Sequence, residues 1–455
     1  MTAIISPLPS TATPPPTTAA PARMAWLDAL RGFAALVVAW YHISPSVIGG
    51  AHHGAIHKYI DLGKYGVLLF FLVSGYVIPM SLERHGSPRK FWVGRLFRIY
   101  PAYLVTIAAV LAFVAADVID LQQSLRAETV TGVLSHVTMM QDFVGIRGLV
   151  WPFWTLGFEM AFYLIVAGMF VWGLHRLSAW WAAGLALIAV AAGPALPNAL
   201  FGGDAAARRL TAAALVLVLG LSLIAYLSGR RTLVAAAGLA GLAVIALPLL
   251  NGHSTRWSTA TSSWQAVLML SIMFAGTVIY RLHHAQINRL AGFGTLALVL
   301  AASAVATWLH TGTRAELTRW TIISVAVAAT FALGFALRHR RVPAVLTWLG
   351  AVSYSLYLLH FVVLLVVVHY IGKRNPTVGD RVTLGVCFAV GSLLVAWLSY
   401  RYIELPGQRL GRHAQRLLDN RLGPDRARRG PDKAPVATES AVVGTGRGEK
   451  VSRTV

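Results

Sequence analysis

The sequence predicts an all-α fold: a polytopic transmembrane helical bundle of about 10–12 spans with both termini cytoplasmic. Three observations lead there. Hydrophobic residues make up 56% of the 455 positions and charged residues 12%, about half the usual charged share of ~25%. The mean hydropathy is +0.64, too apolar for one water-soluble core. Apolar runs long enough to span a bilayer recur along the chain.

The runs fall near 25–48, 65–81, 99–116, 150–174, 179–197, 210–227, 232–250, 265–281, 290–309, 320–337, 344–371 and 381–403. The stretch 129–143 is too short and polar to span. "SGRR" alone divides 210–227 from 232–250 and reads as a tight turn. Residues 1–24 are Pro, Thr and Ala rich and lack the basic start of a signal peptide, so they read as a disordered leader. The membrane domain is expected over 25–404, followed by a basic, disordered cytoplasmic tail over 405–455. Lys and Arg divide almost evenly between the loops of the two sides. The eight basic residues between Arg409 and Lys433 place the tail, and with an even span count both termini, inside.

The formal charge of +22 does not indicate nucleic acid, because the basic residues flank apolar runs, where they meet anionic lipid headgroups or anionic ligands. A single cysteine, Cys387, excludes an intrachain disulfide and a Cys-based zinc site. His52, His53 and His57 lack close acidic company apart from Asp61, so no metal site is expected.

Ionisable groups inside spans are functional candidates, because burying them in lipid is costly. "LDALRGFAALVVAWYH" holds Asp28, Arg31 and His42. Asp28 and Arg31 are three apart and can neutralise each other. Arg31 and His42, eleven apart, share a helix face at depths about 16 Å apart. "FFLVSGYVI" carries Ser74-Gly75, which allows close helix approach. "GRLFRIYPAYL" projects Arg95 and Arg98 from one face, either as positive-inside anchors or as a phosphate fork. "WPFWTLGFEMAFYL" places Glu159 inside a span, with Trp151 and Trp154 marking the outer interface. "SYSLYLLH" aligns Ser353, Tyr357 and His360 for interhelical hydrogen bonding. "RYIELP" ends the last span with Arg401 and Glu404 at pairing distance.

These motifs, in this order, resemble the acyltransferase 3 family of integral-membrane O-acyltransferases over roughly residues 26–404. The resemblance implies transfer of an acetyl or other short acyl group from acyl-CoA to a sugar hydroxyl of a cell-surface glycan or secreted glycosylated metabolite. It implies no permanently bound cofactor; acyl-CoA, expected as acetyl-CoA, is the donor substrate. The setting implied is a multi-pass protein of the bacterial cytoplasmic membrane. Arg31 and His42 match the family's essential Arg and His. Arg95 and Arg98 match its arginine pair for CoA, and Glu159 matches the Glu after Trp-x-Leu. Thr155 stands where the family usually has Ser. Asp28, Ser74, Trp154, Tyr357 and His360 are expected to line the substrate path or support it. His42 is expected to act as general base or as acyl carrier, with Glu159 orienting His42 or the acceptor. A proton-coupled transporter or flippase is the rival class. Against it stand the lack of two-half symmetry, the lack of a long central loop, and the crowding of charge into the first four spans.

Overall fold

The computed structural model describes residues 24–252 and 261–423, and all its regular elements there are helical. In order they are α1 (Ala25–Val47), α2 (Gly50–Tyr59), α3 (Leu62–His85), α4 (Pro88–Ala115), α5 (Gln123–Ala127), α6 (Thr129–Thr138), α7 (Gln141–Val144), α8 (Trp154–Val171) and α9 (Ser178–Ala191). Then follow α10 (Ala205–Ser228), α11 (Arg231–Ala243), α12 (Ala246–Leu250), α13 (Ser263–His283), α14 (Arg289–Thr311), α15 (Arg314–Ala336), α16 (Ala344–Ile371), α17 (Val378–Ser399) and α18 (Leu405–Leu422).

Among the described residues, eleven helices are long and apolar enough to cross a membrane. Helix α1 is not one of the eleven, since Asp28, Arg31 and His42 dilute its apolar run. It nevertheless lies inside the bundle, with Leu27, Leu30, Ala34 and Val38 buried against the common core. The stretch 129–143, too short and polar to span, forms the short helices α6 and α7. "SGRR" is the expected turn, with Gly229 at φ 67° ending α10. Local chemistry sets other boundaries. Asp61 caps α3 by accepting from the Lys64 backbone N–H at 2.9 Å, and Thr377 with Asp380 forms a reciprocal capping box on α17.

The most enclosed helices are α8 and α13, with 83% and 78% of their apolar windows buried. Helix α3 lies against α13 at Gly75 and Gly276. A Cβ at either position would run into the facing backbone, and Thr277 donates to the Gly75 carbonyl at 2.9 Å across the gap. Gly75 thus serves close packing, as its small size suggests, while Ser74 faces away from this crossing.

One sequence expectation needs correction. The fold does not stop at residue 404. After one π-helical turn (Tyr400–Glu404), α18 continues to Leu422. Gly407 and Gly411 lie one turn apart and pack onto Pro101 and Phe97 of α4. Arg89 Nε donates to the Leu227 carbonyl at 2.9 Å, and its Nη1 to the Gly423 carbonyl at 2.8 Å. Helix α18 is polar on most of its surface, so a search for apolar runs reads past it. Residues 1–23 of the expected leader and the tail beyond 423 lie outside the described residues.

The connection before α8 is held by side chains. Gln141 Nε2 donates to the Phe153 carbonyl at 3.0 Å, and Asn251 donates to the Phe143 carbonyl. Buried His136 bonds the Gly132 carbonyl through Nδ1 at 2.7 Å and accepts the Leu149 N–H at Nε2, 3.1 Å away. That pattern requires a neutral ring with its proton on Nδ1. Burial holds the His136 imidazole below its ordinary range, although the Gly132 bond opposes this.

Two predictions follow from this packing. Gly75→Val should lower the thermal transition in detergent by the equivalent of about 1–3 kcal/mol or more, whereas Gly94→Val, where a Cβ meets open space, should leave it nearly unchanged. Equal transitions for the two variants would remove Gly75 from the crossing. For His136, the folded state binds fewer protons than the unfolded state once the pH drops below the ordinary histidine value of about 6.5. Its contribution is therefore intact above that pH and is lost as the pH falls further. His136→Gln should flatten the acid limb of a melting-temperature profile.

Candidate active site

The site is built on two helices from opposite ends of the chain. Helices α1 and α16 meet where Gly32 faces Gly350, and a Cβ on either would strike the partner's backbone, the Asp28 carbonyl included. Ten residues further along each helix, the His42 and His360 rings lie 5.3 Å apart. Helices that keep step over ten residues run parallel, and they separate these two contacts by about 15 Å.

Between these levels is a cleft with a cavity of about 70 Å³, wide enough for a few waters. Arg31, Ser74, Arg95, Arg98, Glu159 and Tyr357 all line it. Six residues from five motifs thus meet in one space. Arg31 is in electrostatic reach of Asp28, Arg98, Glu159 and Glu404. Arg95 is buried, with its guanidinium 5.2 Å from the Tyr163 ring centre and 5.5 Å from that of Phe91. Tyr163, one turn after Glu159, donates its hydroxyl to that carboxylate. No hydrogen bond or ion pair joins Arg31, Arg95 or Arg98 to another described residue.

The cleft narrows at Tyr357. The Tyr357 hydroxyl is 2.9 Å from Thr155 Oγ1 and donates to the Pro152 carbonyl at 3.3 Å. Phe70 packs edge-on against the Tyr357 ring, with centres 5.3 Å apart. The hydroxyl retained at position 155 is therefore part of this constriction. Beyond it stand His360 and His42, which do not line the cleft. His360 is fully buried. Its Nδ1 bonds the Leu356 carbonyl at 3.0 Å, and its Nε2 has no hydrogen-bond partner among the described residues. His42 sits among Trp151, His360 and Phe361, with ring centres 6.1, 5.3 and 5.1 Å away.

The structure corrects several placements. Trp154 does not mark the interface; it is buried and packs on Phe71 and Phe158. Trp151 is the tryptophan beside His42. Ser353 does not bond across helices, because its hydroxyl donates to the Gly350 carbonyl of its own helix at 2.8 Å. Arg401 and Glu404 do not pair. The π-turn at 400–404 rotates Glu404 inward, where it accepts from the Ser355 backbone N–H at 3.1 Å and from the Ser355 hydroxyl. Arg401 remains exposed. The loop histidines form a local stack: His53 Nδ1 lies 2.7 Å from Ser44 Oγ, and the His53 and His57 ring centres are 5.9 Å apart. Burial, then neighbouring His57, holds the His53 imidazole below its ordinary range.

Sequence reasoning missed three contributors. Tyr163 could have been found at the i+4 position from Glu159. Tyr354, which lines the cleft and donates to the Ile99 carbonyl at 2.9 Å, lies within the quoted "SYSLYLLH". Glu404 was visible but was assigned a partner by regular α-helical spacing.

With this geometry in hand, comparison with known proteins is informative. The model of the acyltransferase 3 family, described as an acyltransferase domain, matches residues 24–220 and 210–401. The acyltransferase MdmB of Streptomyces mycarofaciens is 34% identical over 146 residues, which are 31% of this chain and 38% of that protein. The putative peptidoglycan O-acetyltransferase YrhL of Bacillus subtilis is 28% identical over 164 residues, 32% of this chain and 24% of that protein. The O-acetyltransferase OatA of Staphylococcus aureus is 26% identical over 163 residues, 33% of this chain and 25% of that protein. The aligned stretches thus span between about a quarter and two fifths of these relatives. No solved structure matches.

Proposed function

Because the chain belongs to the acyltransferase 3 family, we propose that it is a membrane O-acyltransferase moving an acetyl or other short acyl group from acyl-CoA to a sugar hydroxyl. The observation that carries this reading is the convergence of Arg31, Arg95 and Arg98 on one cleft, without an ion pair to another described residue. Three such guanidinium groups make a receptor for a polyanion, and arginine forks suit phosphate oxygens. A transporter has no evident use for such a receptor beside a histidine pair.

On this reading Arg95 and Arg98 hold the phosphates of acyl-CoA at the cytoplasmic surface, with both chain ends on that side. The pantetheine arm runs past Arg31 toward Tyr357. Because the cavity is narrow, the arm must displace Tyr357 from Thr155 for the thioester to approach His42. A neutral His42 then takes the proton of the acceptor hydroxyl. The alcohol oxygen attacks the thioester carbonyl, the carbon–sulfur bond breaks, and CoA leaves as the thiolate, which takes up a proton. In a two-step variant the imidazole first accepts the acyl group and then passes it to the acceptor. Glu159 fixes the charge balance beside Arg31, and His360 packs against the reacting imidazole. The acceptor is a cell-envelope glycan or the sugar of a secreted metabolite, and the location is the bacterial cytoplasmic membrane.

The test is acyl transfer by purified protein, followed by CoA release and by mass spectrometry of the acceptor. His42→Ala should abolish transfer while the protein elutes as the parent does and still binds CoA. A folded His42→Ala protein that still acylates would overturn the assignment. Arg95→Gln with Arg98→Gln should raise the KM for acyl-CoA by about tenfold or more, the scale of one lost charge-assisted hydrogen bond. An unchanged KM would return both arginines to membrane anchoring.

A further inference from the structure

Helix α3 has a second polarised boundary on its other side. Phe70, Ser74 and Val77 face the arginine cleft, whereas Leu68 and Leu72 face a groove of about 670 Å³ between α3, α13, α14 and α15. Ile279, Leu296 and Phe331 continue its apolar wall. At the deep end, Ser303 and Ser324 satisfy each other across α14 and α15 at 3.1 Å, so neither hydroxyl needs a guest. From Arg289 to Ser303 the groove follows fourteen residues of α14, about 21 Å, more than one leaflet of a hydrocarbon core ~30 Å thick.

The mouth is basic. His283 and Arg289 line it. Arg338 lies just outside, its guanidinium 4.1 Å from the Phe335 ring centre, and Phe335 itself lines the groove. Arg340 and Arg341 follow in the same loop. Carboxylates are missing here: Glu316 is the only Asp or Glu between residues 205 and 379, and it starts α15 at the other end. The nearby Glu83 is already paired with Arg281. Among the described residues, no carboxylate pairs with these cations.

We propose that this groove is a selective binding site for a glycerophospholipid with a net negative headgroup. One acyl chain fills the apolar channel, and the phosphate sits between Arg289 and Arg338 at the membrane surface. A zwitterionic lipid would fill the channel equally well but would bring its own cation into the basic mouth. Charge complementarity therefore decides the occupant.

The experiment is native mass spectrometry of the full chain in detergent, titrated with phosphatidylglycerol or phosphatidylcholine of identical acyl chains. Wild type should retain phosphatidylglycerol about tenfold better. Arg289→Ser, at an exposed position, with Arg338→Ser, at a half-buried one, should reduce that preference to parity. Ala328→Trp, which fills the channel, should reduce retention of both lipids. Each variant should first show the parent's lipid-free thermal transition; if Ala328→Trp does not, Ala332→Trp replaces it. Equal retention of the two lipids by wild type would mark ordinary annular lipid and overturn the proposal. So would a phosphatidylglycerol preference that survives both arginine substitutions.

Discussion

The site depends on the register in which α1 and α16 run side by side. The glycine contact at Gly32 and Gly350 brings the two backbones together, and parallel travel carries the match upward until His42 meets His360. Any slip would move the histidines apart. A slip of one residue would also turn Tyr357 by about 100°, away from Thr155. Small residues therefore set the geometry of the large, polar ones. In a membrane this is a natural division, since close packing supplies much of the association that water supplies elsewhere.

The second constraint is the cost of charge at membrane depth. Arg31, Arg95 and Arg98 face a shared cavity instead of lipid, and Glu159 and Glu404 lie on the same side of the bundle. Helix α3 makes that segregation possible. Its cleft face touches the arginines, and its opposite face lies along a groove that is apolar except for a basic mouth and one serine pair. Because Gly75 locks it to α13, α3 is held between two spaces of opposite character.

Much of this was legible in the sequence, where helical periodicity is a strong guide. All twelve apolar runs correspond to helices, and Arg31, Ser74, Arg95, Arg98, Glu159 and Tyr357 were each visible in their motifs, although their meeting in one cleft is a product of the fold. What escaped had physical causes. Glu404 was misassigned because a π-turn changes the angle per residue. Trp154 was misplaced because a tryptophan near a span's end can turn either way, and here the pinned loop before α8 turns it inward. Helix α18 was missed because two glycines and one arginine anchor it without an apolar run. The constriction at Tyr357 needed three helices at once, which no single motif contains.

The parallel pairing of α1 and α16 also has a consequence in time. The two helices are separated by about 300 residues, which at ~5–20 residues per second takes about 15–60 s to synthesise. For that interval α1 is in or near the bilayer with Arg31 and His42 made, while the helix that completes their surroundings does not yet exist. This most polar span enters long before α16 and is among the last to be satisfied. Its early partner is α3, the next span to be made, and the register of His42 against His360 is a late event in the life of each molecule.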